Sequence, residues 1–479
     1  MYIGLDLGTS GLKALLIDEA QNVVAEASAA LTNERPQDGW SEQDPAAWIS
    51  ACDAVMAALA GKADLSGVRG IGLSGQMHGA TLLGPEDEVL RPCILWNDTR
   101  SYAEAAALDA DPQFRAISGN IVFPGFTAPK LAWVKAHEPE IFARVRKVLL
   151  PKDYLRLYLT GEFAGEMSDS AGTAWFDTGA RDWSDDLLAA TDMDRSFMPR
   201  LVEGSEVSGQ LRPELAVKWG VPAVCVIAGG GGDNAASAIG AGVVEAGQAF
   251  VSLGTSGVLF AANDGYRPAA ATAVHTFCHA LPETWHQMGV ILAATDALNW
   301  YGRFVGQGAA ELTAPLAHLK APGKTQFLPY LGGERTPLND AAIRGAFIGL
   351  EHATDTAAGT RAVLEGVTFA LKDCAEALVA TGTKIDRLLA VGGGSKSHYW
   401  LQAIATALGV PVDLPVAGDF GGAFGAARLG MMAATGVGAE IAHRPRIQAT
   451  IEPVADLTEA YGDGFARFKA AQHALKGLT

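Results

Sequence analysis

The chain has 479 residues, which is too long for a single hydrophobic core, so two large domains are expected. Its 36 Lys and Arg against 53 Asp and Glu give a formal net charge of −17, and the sequence contains no basic block. We therefore expect no nucleic acid partner and no anionic membrane partner. No apolar run is long enough to span a membrane, and the five scattered cysteines lack CxxC spacing. These features favour a cytoplasmic protein with reduced thiols, and they leave its oligomeric state open, with a homodimer as one alternative.

The chain opens with a strand, a Gly-Thr-Ser turn and a second strand over residues 2–17. Backbone N–H groups of the turn, the hydroxyls of Thr9 and Ser10 and the Lys13 ammonium can all face phosphate oxygens. Asp6, at the end of the first strand, stands where a carboxylate can hold Mg²⁺ beside those phosphates. The sequence therefore predicts a phosphate-binding hairpin, and the alternative at this point is an ordinary β-hairpin.

Two later strands of the first half also end in polar and aromatic residues. One leads into Gln76, Met77 and His78, and the other leads into Trp96 and Asn97. A sugar can stack its C–H face on an aromatic ring while its hydroxyls bond to neighbouring amides. These two loops are therefore candidates for sugar contact, although the alternative for His78, taken alone, is a hydrogen-bonded structural histidine.

Four consecutive glycines, at 229–232, separate a short apolar strand from a helix that opens at Asp233 and Asn234. Glycine allows the main chain to approach a ligand closely, and open α/β sheets bind ligands at such strand ends. Asp233 is therefore the leading candidate for a catalytic base. Its alternative role is that of a helix N-cap after a flexible turn.

The second half begins with an internal repeat. Residues 253–257, Leu-Gly-Thr-Ser-Gly, reproduce residues 7–11 letter for letter and again lie before apolar strand residues. Ser252 precedes the second copy where Asp6 precedes the first, so only the first copy is equipped to hold a metal. The repeat indicates a duplicated α/β domain with a boundary near residue 245.

Two turns of the second half are candidates for nucleotide binding. One is the repeated turn itself, and the other joins a strand over 388–391 to the following helix. A strand, a glycine run and a helix in this order form a nucleotide-compatible element. The candidate residues in these turns are Gly254, Thr255, Ser256, Gly393, Gly394 and Ser395.

Taken together, these motifs make the chain similar to the FGGY carbohydrate kinases over essentially its whole length. The motifs that carry the resemblance are Asp6-Leu7-Gly8-Thr9-Ser10, Ser41-Glu42-Gln43-Asp44-Pro45, Gly75-Gln76-Met77-His78-Gly79, Leu95-Trp96-Asn97-Asp98, Pro124-Gly125-Phe126-Thr127-Ala128-Pro129-Lys130-Leu131, Leu150-Pro151-Lys152-Asp153-Tyr154, the glycine run with Asp233-Asn234, and Gly333-Glu334-Arg335-Thr336-Pro337. The resemblance implies an α/β fold of two ribonuclease-H-like (actin-like ATPase) domains with a cleft between them. Residues 1–245 would form the sugar and metal/phosphate side, and residues 246–479 the nucleotide side.

The resemblance also implies a reaction, which is phosphorylation of a small sugar by ATP with Mg²⁺. The Gln-Met-His-Gly and Trp-Asn-Asp motifs favour the ketose D-xylulose, and the alternatives are another acceptor such as ribulose or glycerol, or an actin-like ATPase without a sugar acceptor. Asp233 would be the base for the sugar hydroxyl and Asp6 would lie beside the metal and phosphates, so both are candidate metal ligands. The remaining candidate contacts are Gln76, Met77, His78, Trp96, Asn97 and Asn234 for the sugar and Thr9, Ser10 and Lys13, with the two later turns, for the nucleotide.

The sequence departs from the family's second signature at one point. An acid or amide followed by an aliphatic residue usually stands before the Ala-Val-Leu-Glu segment, whereas this chain has Ala358 and Gly359 there. The departure predicts a weakened helix start in the C-terminal domain and touches no candidate catalytic group.

Overall fold

The computed structural model describes residues 1–416, 418 and 420–476. Its strands are β1 (Tyr2–Leu7), β2 (Gly11–Ile17), β3 (Val23–Ala30), β4 (Glu42–Gln43), β5 (Gly70–Gly75), β6 (Thr81–Leu83), β7 (Cys93–Ile94), β8 (Lys147–Leu149), β9 (Ala164–Glu166), β10 (Phe176–Asp177), β11 (Asp182–Trp183), β12 (Arg200–Val202), β13 (Val207–Gln210), β14 (Val226–Ala228), β15 (Gly231–Gly232), β16 (Gly247–Leu253), β17 (Gly257–Asn263), β18 (His275–Cys278), β19 (Trp285–Ile291), β20 (Gln326–Leu328), β21 (Ala346–Ile348), β22 (Ile385–Val391), β23 (Val412–Pro415) and β24 (Ile447–Ile451). Its helices are α1 (Pro45–Ala60), α2 (Tyr102–Asp109), α3 (Pro112–Ser118), α4 (Thr127–His137), α5 (Pro139–Phe142), α6 (Pro151–Thr160), α7 (Met167–Ser170), α8 (Asp185–Ala189), α9 (Pro213–Trp219), α10 (Asp233–Ala241), α11 (Thr295–Val305), α12 (Ala309–Thr313), α13 (Thr356–Val379), α14 (His398–Leu408), α15 (Gly422–Thr435) and α16 (Thr458–Leu475).

The first of two compact units contains three chain segments, which are Met1–Val244, Phe277–His286 and Asp419–Arg444. Its main sheet has the strand order β13-β14-β5-β1-β2-β3, with the two-residue β15 added on β5. Strand β1 pairs antiparallel with β2 and parallel with β5, and β14 and β15 also run parallel to β5. The carboxyl ends of β1, β5 and β15 therefore meet at one edge of the sheet, which is where ligands bind in open α/β sheets.

Helix α15 packs against β1, β5 and α10 within this unit. The facing sheet residues are small, and a side chain on Gly72 of β5 would collide with the backbone of Ala426. This close approach brings the first turn of α15 to the end of β1, because a Cβ atom on Gly422 would lie 2.9 Å from the carboxyl carbon of Asp6. The positive end of the helix dipole thus faces a carboxylate.

The second unit contains Glu245–Thr276, Gln287–Gly418 and Pro445–Thr479. Within it, β17, β16, β22, β23 and β24 lie side by side in this order. Strand β16 pairs antiparallel with β17 and parallel with β22, which repeats the arrangement of β1 with β2 and β5. The 24-residue helix α13 is buried along most of its length.

The start of α13 corrects the expectation of a weakened helix. Asp355 is the N-cap, and its carboxylate accepts the N–H of Ala358 at 2.8 Å, so the cap is supplied before the expected position. Gly359 has a packing reason, since a side chain there would collide with the Tyr301 hydroxyl. Within the described residues, no helix is both long and apolar enough to cross a membrane.

Candidate active site

Asp6 lies at the carboxyl end of β1, flanked by a neighbour from each adjacent strand. It is in register with Lys13 of β2 and with Ser74 of β5. The Ser74 hydroxyl donates a hydrogen bond to Asp6 Oδ1 at 2.7 Å. This contact and the first turn of α15 orient the carboxylate at the edge of the sheet.

Asp233 is the first residue of α10 and directly follows β15. Because Gly231 is in register with Ser74 of β5, and Ser74 with Asp6 of β1, both aspartates come from one edge of the sheet. The backbone N–H and the Nδ2 of Asn234 donate to Asp233 Oδ1 at 2.7 and 2.9 Å. The predicted partners Asp233, Asn234 and Asp6 are therefore brought together.

The negative charge of Asp6 affects the pKa of Asp233. Burial and then the negative charge of Asp6 raise the pKa of Asp233 to about 6, against the opposing effect of the two hydrogen bonds from Asn234. A carboxyl group with this pKa is ionised at neutral pH and is a stronger proton acceptor than an ordinary aspartate, whose pKa is about 3.9. The site therefore holds a carboxylate suited to general base chemistry.

In the glycine run ahead of Asp233, the surrounding structure requires glycine most clearly at Gly230. Gly230 has a φ of +79°, in the left-handed region, and a side chain there would collide with the backbone of Leu73 in β5. The run can lie against β5 only without side chains. The close approach of the run to β5 thereby places Asp233 at the sheet edge.

The loop after β5 is fixed by an internal hydrogen-bond network. Gln76 is buried, its backbone N–H donates to Leu7 O, and its Nε2 donates to Gln43 Oε1 at 3.0 Å. Its Oε1 accepts the Thr9 hydroxyl at 3.1 Å. Both ends of the Gln76 amide are thus engaged by protein groups. Met77 is also buried, packed against Gly232.

His78 follows in a left-handed conformation, with a φ of +69°. Its Nδ1 lies 2.6 Å from Gly172 O, and because a carbonyl can only accept, Nδ1 carries the proton. Its ring stacks on Phe126 with the centroids 4.7 Å apart. The His78 carbonyl accepts the Lys130 ammonium at 2.8 Å and the Thr127 hydroxyl at 3.1 Å. The ring and backbone of His78 are therefore both held in place.

Trp96 and Asn97 lie in the loop after β7. The Trp96 indole N–H donates to Thr9 Oγ1 at 3.0 Å, while 48% of the residue stays exposed. Asn97 Oδ1 is buried and has no hydrogen-bond partner in the described part of the chain. The Thr9 hydroxyl accepts from Trp96 and donates to Gln76, so it joins the first hairpin to both candidate sugar loops.

The other two candidates of the first hairpin differ in exposure. Ser10 is exposed at the tip of the turn. Lys13 is 39% exposed in its side chain and lies 3.3 Å from the Glu26 carboxylate. Ser10 thus lies at the turn itself, whereas Lys13 lies within β2, in register with Asp6.

The candidate nucleotide turns lie in the second unit, at neighbouring strand ends. Ser252 of β16 is in register with Val391 of β22, so the turn at 254–256 and the turn at 393–395 follow at the same edge. The residues lining a groove of about 650 Å³ beside the second turn include Gly393, Gly394, Lys396, Tyr399, Thr295 and Leu298. This groove has the size of a small-molecule site.

The described side chains were also compared with what a bound metal ion requires. Among residues 1–416, 418 and 420–476, no group of three or more His, Cys, Asp or Glu side chains could hold a metal ion. Asp6 and Asp233 offer two carboxylates, and a phosphate-bound Mg²⁺ usually takes one or two carboxylates from a protein.

Two buried residues that hold the site loops in place, Lys130 and Gln43, were not among the candidate site residues. Lys130 is fully buried and donates to the carbonyl oxygens of His78 and Gly125, and burial lowers the pKa of its ammonium to about 7. Gln43 accepts from Gln76 and donates to Thr9 O at 2.6 Å. Both lie inside motifs of the family resemblance, which is the signal that could have identified them.

Comparison with known proteins agrees with the geometry. Residues 1–240 match the N-terminal domain, and residues 249–434 the C-terminal domain, of the FGGY family of carbohydrate kinases. The chain is 51% identical over 437 residues to a xylulose kinase of Escherichia coli (strain K12), which covers 91% of this chain and 90% of that protein.

Solved structures give the same result. A crystal structure of a xyloylose kinase from Brucella ovis has a TM-score of 0.99 and 63% identity, with all of both chains covered. A gluconate kinase from Lactobacillus acidophilus has a TM-score of 0.92 at 26% identity, over 99% of this chain and 97% of that one. The expected two-domain α/β fold of the actin-like ATPase type is thus confirmed. The chain belongs to the FGGY family of carbohydrate kinases and is an ATP-dependent sugar kinase.

Proposed function

We propose that the chain transfers the terminal phosphoryl group of ATP to D-xylulose, giving D-xylulose 5-phosphate, with Asp233 as the general base. The observation that carries the substrate is the 51% identity to a xylulose kinase over nine tenths of both chains. The fold alone does not identify the acceptor, because a gluconate kinase has nearly the same fold. The acceptor must therefore be tested directly.

Asp233 supports the base role by its position and its charge. It begins a helix at the sheet edge, it is oriented by Asn234, and burial with the charge of Asp6 raises its pKa to about 6. Phosphoryl transfer passes through a loose transition state, so the hydroxyl proton becomes acidic late. Asp233 would first orient the sugar hydroxyl and then accept its proton, which contributes about 10²–10⁴-fold to the rate.

Asp6 is the residue we assign to Mg²⁺, with Asp233 as a second candidate ligand. The two carboxylates repel each other, which the raised pKa of Asp233 expresses, and a divalent cation fits between such groups. Phosphate oxygens and waters would complete the coordination. The ion, when bound, supplies neutralisation of the charge on the phosphates.

The sugar and nucleotide contacts are proposed from exposure and chemistry. Trp96 offers a half-exposed aromatic face, and the orphaned Asn97 Oδ1 is an acceptor that a sugar hydroxyl can satisfy. His78, Met77 and Asn234 complete the proposed sugar side. For ATP, the groove beside Gly393 and Gly394, together with the backbone of the 254–256 turn, provides main-chain N–H groups and open space.

A coupled ADP-release assay across D-xylulose, D-ribulose, L-ribulose, glycerol and gluconate tests the substrate. We expect D-xylulose to give the highest kcat/KM, with a loss of about tenfold or more for one inverted centre, because an unpaired polar group costs about 1–3 kcal/mol. Glycerol should be far worse. A higher kcat/KM for ribulose, glycerol or gluconate than for D-xylulose would overturn the xylulose assignment. An ADP-release rate that is the same with and without each sugar would favour an ATPase without an acceptor.

Asp233→Asn tests the base. We expect sugar phosphorylation to fall by about 10²-fold or more, with ATP binding retained. The variant should be at least as stable as the wild type, because it removes one of two repelling charges. Asp111→Asn, at the partly exposed N-cap of α3, is the matched control and should keep full activity. Near-normal turnover of Asp233→Asn would rule out the base role.

The remaining expectations concern partners and compartment. The net charge of −17 supports a cytoplasmic protein with no nucleic acid or membrane partner. A homodimer is kept as a proposal, and light scattering of the purified chain decides between dimer and monomer.

A further inference from the structure

The glycine run ahead of Asp233 has no side chains, so only its backbone groups can hold it. One side of the run pairs with β5. On the other side, the Arg156 guanidinium donates to the Gly229 carbonyl, and the Gly232 N–H donates to Ser168 Oγ at 3.0 Å. The run is therefore anchored at both ends, and the second anchor is at the residue directly before Asp233.

Ser168 is itself oriented by Glu166, the N-cap of α7. The Glu166 carboxylate accepts the backbone N–H of Ser168 at 2.7 Å and that of Asp169 at 2.9 Å. It also lies 2.9 and 3.0 Å from the Ser168 hydroxyl, which donates to it. Since the single hydroxyl proton goes to Glu166, the oxygen lone pairs are left to accept the Gly232 N–H. Ser168 thus connects the buried Glu166 carboxylate to the glycine run through two hydrogen bonds of its hydroxyl group.

The anchor is rigid because it is part of a buried ionic cluster. Lys152 has a fully buried side chain and lies 3.5 Å from the Glu166 carboxylate and 2.8 Å from Asp153. Arg156, which holds Gly229, is also paired with Asp153 at 2.6 Å. Removing one partner of a buried ion pair costs several kcal/mol, so these groups do not shift easily. The anchors at Gly229 and Gly232 are therefore both connected to the same buried ionic cluster.

We propose that Ser168 is a positioning residue for Asp233, fixing the start of α10 through the Gly232 amide. The proposal rests on the proposed role of Asp233 as the base. Without the serine hydroxyl, a buried N–H loses its acceptor, and the first residue of the helix gains freedom to move. A displacement of about 1 Å in a reacting group can cost up to about 10²-fold in rate, so turnover should report the loss.

Ser168→Ala, compared with Ser170→Ala, tests the proposal. Ser170 lies in the same short helix, is equally buried, and its hydroxyl has no partner in the part of the chain that the structure describes. We expect Ser168→Ala to lower kcat by about tenfold while KM for sugar and for ATP stays within about threefold. Ser170→Ala should behave as the wild type, and Ser168→Thr, which keeps the hydroxyl, should regain most of the lost turnover.

A double-mutant cycle separates positioning from general support of the fold. If Ser168 acts through Asp233, Ser168→Ala should cost less than about twofold in the Asp233→Asn background. An equal loss in both backgrounds, or a Ser168→Ala variant indistinguishable from Ser170→Ala, would overturn the proposal. Normal turnover of Asp233→Asn alone would instead defeat the base assignment. Should Ser168→Ala fail to fold, Ser168→Cys, which keeps the size and a weak acceptor, takes its place in the cycle.

Discussion

The two Leu-Gly-Thr-Ser-Gly hairpins have the same sequence and equivalent strand neighbours, but their strand pairing differs by one residue at the turn. In each, the first strand closes antiparallel on the second, at Leu7 with Leu12 and at Leu253 with Gly257. Each first strand also has a parallel neighbour on its other side, β5 in one unit and β22 in the other. The pentapeptide therefore specifies a turn between two strands, in both halves of the chain.

The hairpins differ in what surrounds the turn. In the first, the Thr9 hydroxyl is bonded to Gln76 and Trp96. In the second, Thr255 and Ser256 are exposed, and the backbone of the turn accepts hydrogen bonds from the start of α11, including one from Thr295 Oγ1 to Gly254 O at 2.7 Å. The first turn is thus tied to candidate sugar loops, and the second is left open to solvent. Identical residues therefore make different contacts, because their neighbours differ.

The largest expected difference concerns the residue before each turn. Asp6→Ala should lower turnover by about 10²-fold or more and raise the Mg²⁺ requirement, because the proposed metal-side carboxylate is removed. Ser252→Ala, the matched change in the second hairpin, should cost less than about threefold. Steady-state kinetics over a Mg²⁺ titration measures both.

Sugar affinity is the second readout for Asp6. Calorimetry without nucleotide should give wild-type sugar binding for Asp6→Ala, since the proposed role of Asp6 is on the metal side. A collapse of sugar binding would contradict this division between metal and sugar residues.

The next effect concerns stability. In the second unit a glycine beyond the parallel neighbour β22 packs on the hairpin leucine Leu253. A Cβ on Gly394 would lie 2.7 Å from the Cβ of Leu253 and 2.9 Å from the Trp400 ring, whereas a Cβ on Gly393 would meet nothing within 4 Å. Gly394→Ala should therefore lower the free energy of unfolding by about 1–3 kcal/mol through overpacking.

Gly393→Ala is the control for Gly394→Ala, and denaturant unfolding compares the two. We expect its free energy of unfolding to stay within about 0.5 kcal/mol of the wild type, as for an open surface position. If the two variants unfold at the same denaturant concentration, the second hairpin is not held by this contact.

A smaller effect should follow from the two threonines. Thr9→Val leaves the Trp96 indole N–H and the Gln76 Oε1 without a partner, so kcat/KM for the sugar should fall by about 5–10-fold, equivalent to about 1 kcal/mol. Thr9→Ser keeps the hydroxyl and should therefore keep kcat/KM for the sugar near the wild-type value. Thr255→Val should leave kcat/KM for the sugar unchanged, and a fall equal to that of Thr9→Val would remove the distinction between the two turns.

Local patterns predicted the parts of this molecule that are locally determined. The strand, turn and strand over 2–17 and the helix that begins at Asp233 follow from alternating apolar residues, turn residues and glycines that lie next to one another in sequence. The family resemblance supplied the two-domain fold, which the family matches confirm. Both kinds of evidence are present in the sequence itself.

The networks around the site could not be predicted, because their members are far apart in sequence. Thr9 meets Gln76 and Trp96 across 67 and 87 positions, and Gly232 meets Ser168 across 64. Such contacts depend on which strands lie side by side, and they leave no periodic pattern in either segment. The same holds for α15, which returns to the first unit without any local signal for that return. The individual site assignments therefore stay predictions that mutation must test.

The smallest expected effect concerns Lys13, the cation of the first hairpin, which lies opposite Asp6, whereas Val258 lies opposite Ser252 in the second. Lys13 is paired at 3.3 Å with Glu26, and their side chains are 39% and 61% exposed, so the pair contributes about 0–1 kcal/mol at most. Glu26→Gln should leave stability within about 0.5 kcal/mol and turnover unchanged. Lys13→Met should raise the KM for ATP by about two- to threefold at low salt, because a single exposed charge attracts phosphate weakly, and the difference should vanish at about 0.5 M salt through screening. A salt-independent rise in KM would mean that Lys13 contacts the phosphates directly in a closed site, which would make the first hairpin a stronger nucleotide contact than its exposure suggests.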